Sequence, residues 1–309
     1  MVIYTKGNAS TDNSGYEIKQ HGTTSFPLAC YYRRLDDDPV SWHYHAEFEI
    51  IIKISGEVSV LVPEKAIHLT SSSVCFLNSG ELHSMASPSD GNNLLHSLVF
   101  SPRLIGGSSE SVFYLKYIKP LVDSAMRCAV LEDGEAYDLI ESVYKECLAE
   151  TSGYEMRVRN LLSTFLLKLL SLSAFKASSQ SESEIRNEKR IKQMLSFIQE
   201  RASSAIEVED IAGSASISRR ECLRCFRQTL GTTPSKYLSD YRLEKAAEML
   251  RSTKLRVIDI STECGFEDTS YFTRVFSKKY GMTPRDYRKR DSSASCLSCP
   301  ESSGDADSQ

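Results

Sequence analysis

A chain of 309 residues, 41% hydrophobic and 25% charged, is long enough for two or three globular domains and too mixed to be fibrous. Its longest apolar run, Leu161 to Phe175, contains Lys168 and is too short to span a bilayer, so a soluble protein without a membrane partner is expected. The net charge of −4 argues against a nucleic-acid binder only until it is divided. Residues 188–290 carry 21 Lys and Arg against 14 Asp and Glu, residues 1–187 carry 16 against 23, and the rest carries four acids and no base. A basic C-terminal segment suited to a polyanion is thus hidden in an acidic total. Nine scattered cysteines with no secretory signal ahead of them fit a reducing cytoplasm.

Residues 1–110 read mostly as β-structure. Leu28–Tyr32, Glu49–Ile54, Val58–Val62 and Leu94–Phe100 are short apolar or alternating runs broken by Gly, Pro and Ser, the pattern of a barrel or sandwich. Gly56-Glu57 and Pro63-Glu64 read as hairpin turns. Within this stretch stand His43-Tyr44-His45, Glu49 and Gly56, and further on Gly80 and His83. Residues two apart on a strand share a face, so His43 and His45 are expected to point together, with Glu49 in the same parity and His83 meeting them from an adjacent strand.

The spacing His-x-His-x(3)-Glu-x(6)-Gly resembles the first cupin motif without its opening Gly. Gly80-x-x-His83 resembles the second, with Asn78 in place of Pro. Three imidazoles and a carboxylate form a plausible divalent-metal set. They equally suit the lining of a small-effector pocket, or plain structure. Trp42, Tyr44 and Tyr31 offer ring faces on which a sugar could stack, and ordinary packing is the alternative.

From residue 103 the apolar period becomes helical. Val112–Met126, Glu135–Ala149 and Glu155–Phe175 are three candidate helices, and Gly153 makes the last two an antiparallel hairpin. Tyr137, Ile140, Val143, Tyr144 and Cys147 share a face of one. Val158, Leu161, Leu162, Phe165, Leu166, Leu169 and Leu170 share a face of the other. These faces either pack on the β-domain or dock a second copy. Residues 177–187 read as a polar linker. Ile191, Met194, Leu195 and Ile198 then mark a further helix, and a Ser-rich acidic tail from Asp291 reads as disordered.

An internal repeat dominates the C-terminal part. Arg224-Cys225-Phe226, Gly231, Thr233-Pro234 and Tyr237 recur as Arg274-Val275-Phe276, Gly281, Thr283-Pro284 and Tyr287. Each copy reads as a helix-turn-helix. In the first, Glu209–Ala215 is the short helix, Ser216 occupies the turn, and Ser218 caps a helix with Cys222, Cys225 and Phe226 inward. In the second, Val257–Glu263 is the short helix with Ile258 and Cys264 inward, Gly265 makes the turn, and Asp268 caps the next helix. The offset is 49 residues before the turn and 50 after it. Pro234 opens a long helix between the copies.

The run Gly-Phe-x-Asp-x-Ser-Tyr-Phe-x-Arg-x-Phe-x(4)-Gly-x-Thr-Pro, Gly265 to Pro284, resembles the DNA-binding domain of the AraC family of transcription regulators over roughly Lys189–Lys289. Ser261 and Ser216 depart from that family's Ala and Gly, and both are small. The resemblance implies an α+β multidomain chain. Residues 1–110 would be a cupin-like effector barrel, 111–176 a helical dimerisation region, 177–187 a linker, 188–290 a double helix-turn-helix domain and 291–309 a tail. It implies promoter DNA, a small effector such as a sugar, a second copy and RNA polymerase as partners, in the cytoplasm, with no catalytic step and no cofactor. Activation is the family's usual mode.

In a helix-turn-helix the start of the second helix enters the major groove. Arg219, Arg220, Leu223 and Arg224 in the first copy, and Thr269, Ser270, Thr273 and Arg274 in the second, are therefore the expected DNA contacts. Arg220 and Arg224 are placed for base edges. Lys278 and Lys279 read as phosphate or solvent residues. His43, His45, Glu49, His83, Trp42 and Tyr31 are the expected effector pocket. Two rivals stand beside this reading. One is a metal-dependent cupin enzyme with an accessory DNA-binding domain. The other is a redox or zinc sensor using Cys222-x-x-Cys225 with Cys296-x-x-Cys299.

Overall fold

The structure, a computed structural model, describes residues 3–4, 16–17, 19–36, 40–63, 65–87, 89, 91–124, 126–172 and 182–294. Ten strands are seen among them: β1 Ile3–Tyr4, β2 Leu28–Arg34, β3 Val40–His43, β4 Phe48–Ser55, β5 Ser59–Val62, β6 Lys65–His68, β7 Ser73–Leu77, β8 His83–Ala86, β9 Leu94–Phe100 and β10 Cys128–Glu132. They form a six-stranded sheet in the order β1-β2-β9-β4-β7-β10 and a four-stranded sheet in the order β3-β8-β5-β6. This is a cupin-like jelly roll whose two sheets, among the described residues, are not joined by strand pairing into a closed barrel.

Alternation along β4 explains the layers. Phe48, Ile50 and Ile52 join a core with Leu28, Phe76 and Leu98 and with helical residues such as Phe165 and Leu169. Ile51 instead joins Val60, Ile67, Leu77, Met85 and Leu95 between the two sheets. The strand is apolar almost throughout because both its faces are covered. Within its fully buried stretch, Phe48–Ile52, Glu49 is the polar exception at 3% exposed, while Lys53 and Ser55 lie in the less buried end.

The turn at Gly56 is not a hairpin. β4 pairs with β7 and β9, while β5 pairs with β6 and β8, so the chain passes here from one sheet to the other. The hairpin at Pro63 holds, with Val62 opposite Lys65, while Glu64 lies outside the described residues.

The segment expected to be helical from residue 103 is more varied. It contains α1 Arg103–Gly106, one π-helical turn at Tyr114–Ile118 and α2 Lys119–Val122, and then β10, which extends the large sheet beside β7. Helices α3 Gly134–Ala149 and α4 Tyr154–Ser171 follow. The apolar faces foreseen for them pack on the sheet, with Ile140, Val143, Val158, Leu162 and Phe165 buried. Leu148, Met156 and Leu167 stay exposed.

The remaining helices are α5 Glu182–Arg201, α6 Val208–Ser214, α7 Arg219–Leu230, α8 Pro234–Ser252, α9 Val257–Glu263, α10 Thr269–Tyr280 and α11 Pro284–Ala294. Residues 173–181 and 295–309 lie outside the described residues; they hold most of the expected tail but only 177–181 of the expected linker, whose remaining residues, 182–187, open α5. The chain divides into two compact units. One comprises Met1–Glu200 with Glu207–Ser235, and the other Arg201–Ile206 with Lys236–Gln309. The first therefore holds the sandwich, α5 and the first helix-turn-helix copy, and the second holds the second copy.

Candidate functional site

The sandwich carries a buried polar cluster where its two sheets face each other. His43 ends β3 opposite His83, the first residue of β8, in the smaller sheet. The chain then crosses to the larger sheet, His45 lying in the crossing and Glu49 on β4. The expectation that His43 and His45 share a strand, with Glu49 in the same parity, is therefore wrong. The four residues converge because the chain changes sheets between them. His43, His45, Glu49 and His83 are 4, 2, 3 and 1% exposed, and one ligand atom from each lies within 4.8 Å of all the others.

The imidazoles are held in one tautomeric sense. His43 Nδ1 is 2.8 Å from Ser41 O, His45 Nδ1 is 3.2 Å from Glu47 O and His83 Nδ1 is 2.8 Å from Glu81 O. A carbonyl oxygen only accepts, so each Nδ1 carries a proton and each Nε2 is the atom turned toward the carboxylates. Glu49 Oε2 lies 3.2 Å from His45 Nε2 and 2.8 Å from His83 Nε2. The contact with His83 is at ion-pair distance, yet its angle leaves that nitrogen without a hydrogen bond. The other Glu49 oxygen accepts from Ser97 Oγ.

Burial holds His43 neutral, with its pKa pushed down to about 3. Burial alone would raise the Glu49 pKa, but the charge of His83 and the hydrogen bond from His45 hold it well below the usual carboxylate range. For His83 burial acts downward, and the Glu49 charge overcomes it and raises the pKa. The pair is ionic because each partner stabilises the other's charge.

Three further residues extend the cluster. Glu17, also buried, places Oε2 3.7 Å from His43 Nε2 and 3.1 Å from His21 Nε2, while His21 Nδ1 lies 2.8 Å from the Tyr31 hydroxyl. Burial works to raise the Glu17 pKa, and the neighbouring histidines, His21 first, bring it down to about 2. Tyr31 thus joins the site one step removed. Trp42 is half-buried beside His43 and takes no part in the hydrogen-bonded set among the described residues. Of the three rings expected to offer a stacking face, Tyr44 and Tyr31 already meet cations. Lys192 sits 4.5 Å over Tyr44, and Lys19 and Arg33 sit 4.5 and 4.9 Å over Tyr31. Sequence reasoning missed Glu17, His21 and Ser97. Only the Glu17-x(3)-His21 spacing hinted at the first two.

The helix-turn-helix copies are built as expected from caps and buried aromatics. The Ser218 hydroxyl accepts from Glu221 N, and Asp268 accepts from Ser270 N and Tyr271 N. Each second helix ends on a left-handed Gly, Gly231 and Gly281. Cys222, Cys225 and Phe226 face inward in one copy, and Phe272 and Phe276 in the other. Ile258, expected inside, is 52% exposed, and Ile260 and Ser261 fill the inner face instead.

At the candidate DNA surface Arg219, Arg220, Arg224, Ser270 and Arg274 are exposed, and Leu223, Thr269 and Thr273 half-buried. Arg219 pairs with Glu209 at 3.0 Å, Arg224 pairs with Glu221, and Arg274 lies 5.4 Å over the Tyr271 ring. Lys279, expected at phosphate or solvent, is instead tied to Glu244 at 2.7 Å, with Asp240 O at 3.2 Å. The redox reading loses its chemistry. Burial pushes the Cys222 thiol up to about 11 and raises that of Cys225, which disfavours the reactive thiolate. Cys296 and Cys299 lie outside the described residues. No helix among the described residues is long and apolar enough to cross a membrane.

Known proteins match both halves. The family model of the AraC-like ligand binding domain matches residues 25–170, and that of a helix-turn-helix domain matches residues 211–290. An uncharacterized HTH-type transcriptional regulator of Bacillus subtilis (strain 168), YdeC, is 30% identical over 297 residues, covering 92% of this chain and 99% of its own. The HTH-type transcriptional activator RhaR of Yersinia pestis bv. Antiqua (strain Angola) is 25% identical over 249 residues, or 80% of this chain and 84% of the relative. Among solved structures, unsaturated fatty acid bound ToxT from Vibrio cholerae strain SCE256 is 16% identical, covers 87% of this chain and 97% of that one, and has a TM-score of 0.46. The chain belongs to the AraC family of transcription regulators, with an AraC-like ligand-binding domain followed by helix-turn-helix DNA-binding motifs.

Proposed function

We propose that this regulator activates transcription when a small polar effector occupies the buried cluster at His43, His45, Glu49 and His83. The observation that carries the reading is that cluster. Four ionisable side chains share one buried point between two sheets, in a domain whose family binds ligands. Burying polar groups is costly, and a ligand that satisfies them repays the cost on binding. A carbohydrate, another polar class, would bind at the margin of the pocket beside Tyr31 and Trp42, not among the four side chains. By function, an effector domain to residue 110, a dimerisation region to 176, a linker to 187 and a DNA-binding domain to 290 follow one another, with β10 of the second region completing the effector sheet and α5 and α11 running across the last two limits. The chain acts in the cytoplasm without catalysing a reaction.

DNA contacts come from Arg219, Arg220, Leu223 and Arg224 in the first copy and Thr269, Ser270, Thr273 and Arg274 in the second. Exposed arginines at the start of a capped second helix support this assignment. Activation follows the naming of relatives such as RhaR and implies contact with RNA polymerase. Exposed Leu148, Met156 and Leu167 on α3 and α4 support a homodimer through these helices.

The test is fluorescence-anisotropy titration of the purified chain against DNA from upstream of its own coding region and against unrelated DNA, at two salt concentrations. Tighter binding to the upstream DNA at both salts is expected. Equal affinity for both DNAs, with and without candidate effectors, would overturn the reading.

A further inference from the structure

We propose that the effector is a divalent first-row transition-metal ion held by His43, His45, Glu49 and His83, and that Lys192 couples its binding to the first recognition helix. The proposal rests on the reading of the sandwich as an effector domain and names the ligand of that site.

Size decides the ligand class. The four donor atoms lie within 4.8 Å of one another. A sugar ring cannot enter among atoms that close, whereas ligands about 2.0–2.2 Å from one ion stand roughly 3–4 Å apart. The second contacts fit as well. Each imidazole has its Nδ1 on a backbone carbonyl, the arrangement that orients a metal-ligating histidine, and Glu49 has its outer oxygen on Ser97. His83 Nε2 is buried without a hydrogen bond and aims at the same point. Three imidazoles and one carboxylate favour zinc, nickel, cobalt, iron or manganese over calcium or magnesium.

The path outward starts at the ligands themselves. Gly80 lies in the loop before His83, and its N–H donates to His45 O at 2.7 Å. Its carbonyl accepts from Lys192 Nζ at 2.9 Å. The same ammonium lies 4.5 Å over the ring of Tyr44, the residue between His43 and His45. Lys192 therefore touches both arms that carry the histidines. It belongs to α5, which is further tied to the sandwich by Arg127–Glu188 at 2.9 Å. Two residues before Lys192, Arg190 reaches Glu221 of α7 at 3.4 Å, and Glu221 also holds Arg224. All these residues lie in one compact unit. A shift of His45 or His83 on binding an ion thus moves Gly80, then Lys192 and α5, then the acid that positions a DNA-facing arginine.

The experiment has two arms on the full chain, purified without an affinity tag. Calorimetry with Zn²⁺, and visible spectra with Co²⁺, count and characterise the bound ion in wild type, His45→Ala and His83→Ala. Unchanged melting of the metal-free proteins shows that the variants fold. One ion per chain with nitrogen-ligand bands is expected in wild type, and its loss in both variants. Anisotropy on the upstream DNA with and without Zn²⁺ is then compared for wild type and Lys192→Met. A change in DNA affinity of about fivefold or more is expected in wild type. Lys192→Met should keep its ion and show a ratio near one. No stoichiometric ion in wild type overturns the metal site. A bound ion with no change in DNA affinity, or a Lys192→Met variant that responds like wild type, overturns the coupling. Absence of specific DNA binding in both states strikes the regulator reading instead and leaves the calorimetric result to judge the site.

Discussion

Ser216 makes the turn of the first helix-turn-helix at φ 54°, and Gly265 makes that of the second at φ 83°. Both turns use the left-handed region, which costs a residue with a Cβ roughly 1–2 kcal/mol. Ser216 tolerates it because its surroundings are open and it stays exposed. Gly265 has no such freedom, since a Cβ there would stand 2.5 Å from Ala202 O and 3.0 Å from Arg242 Nε. That crowding comes from Arg242, which donates to Ala202 O and Ser204 O and packs over Phe266. The surfaces diverge in the same way. Glu221 and Tyr271 occupy one register position, so Arg224 is held by a carboxylate and Arg274 lies over a ring. Duplication has kept the caps, the buried aromatic and the terminal glycine, and has left the turn packing and the groove-facing residues free to differ.

The largest effect is expected at the turns. Gly265→Ala should lose about 2–4 kcal/mol in urea denaturation, from backbone strain and the clash with Ala202. Ser216→Gly should gain about 0.5 kcal/mol, because relief of strain is partly cancelled by the greater entropy of the unfolded glycine chain. Equal small effects at both sites would mean that the two turns are not packed differently.

The groove-facing residues should come next. Arg220→Ala is expected to cost about 1–3 kcal/mol of affinity for upstream DNA and to relax preference at one guanine. Thr273→Val, which keeps a methyl and removes the hydroxyl, should cost less and leave the salt dependence unchanged. A uniform loss across sequences for Arg220→Ala, with the salt slope reduced by about 1, would reassign that arginine to a phosphate.

The smallest effect belongs to Lys279. Because it is paired with Glu244 inside the second unit, Lys279→Met should change stability by less than about 1 kcal/mol and leave the salt slope of DNA binding intact. A slope lower by about 1 would restore the phosphate role that its sequence position suggested.

The helix-turn-helix copies were legible because helical period, capping residues and Gly-x-Thr-Pro punctuation are local signals. Ile258 was misplaced because it sits on a seven-residue helix, where two turns give the period little to work with. In the sandwich, the sequence spacing identified all four cluster residues but misjudged how they meet. Strand parity cannot foretell that the chain changes sheets between His43 and Glu49. Glu17 and His21 come from a stretch without periodic signal and join the cluster through tertiary packing alone. β10 was hidden because five residues, Cys128–Glu132, lie between helical patterns and find their partner in β7, far away in the chain.

The most direct test of the regulator reading is a hydroxyl-radical footprint on the upstream DNA, with wild type beside Arg224→Ala and Arg274→Ala. Two protected patches about one helical turn apart are expected for wild type, with one patch weakened by each variant. A single patch, or a footprint that neither variant alters, would contradict the two-helix readout on which the account depends.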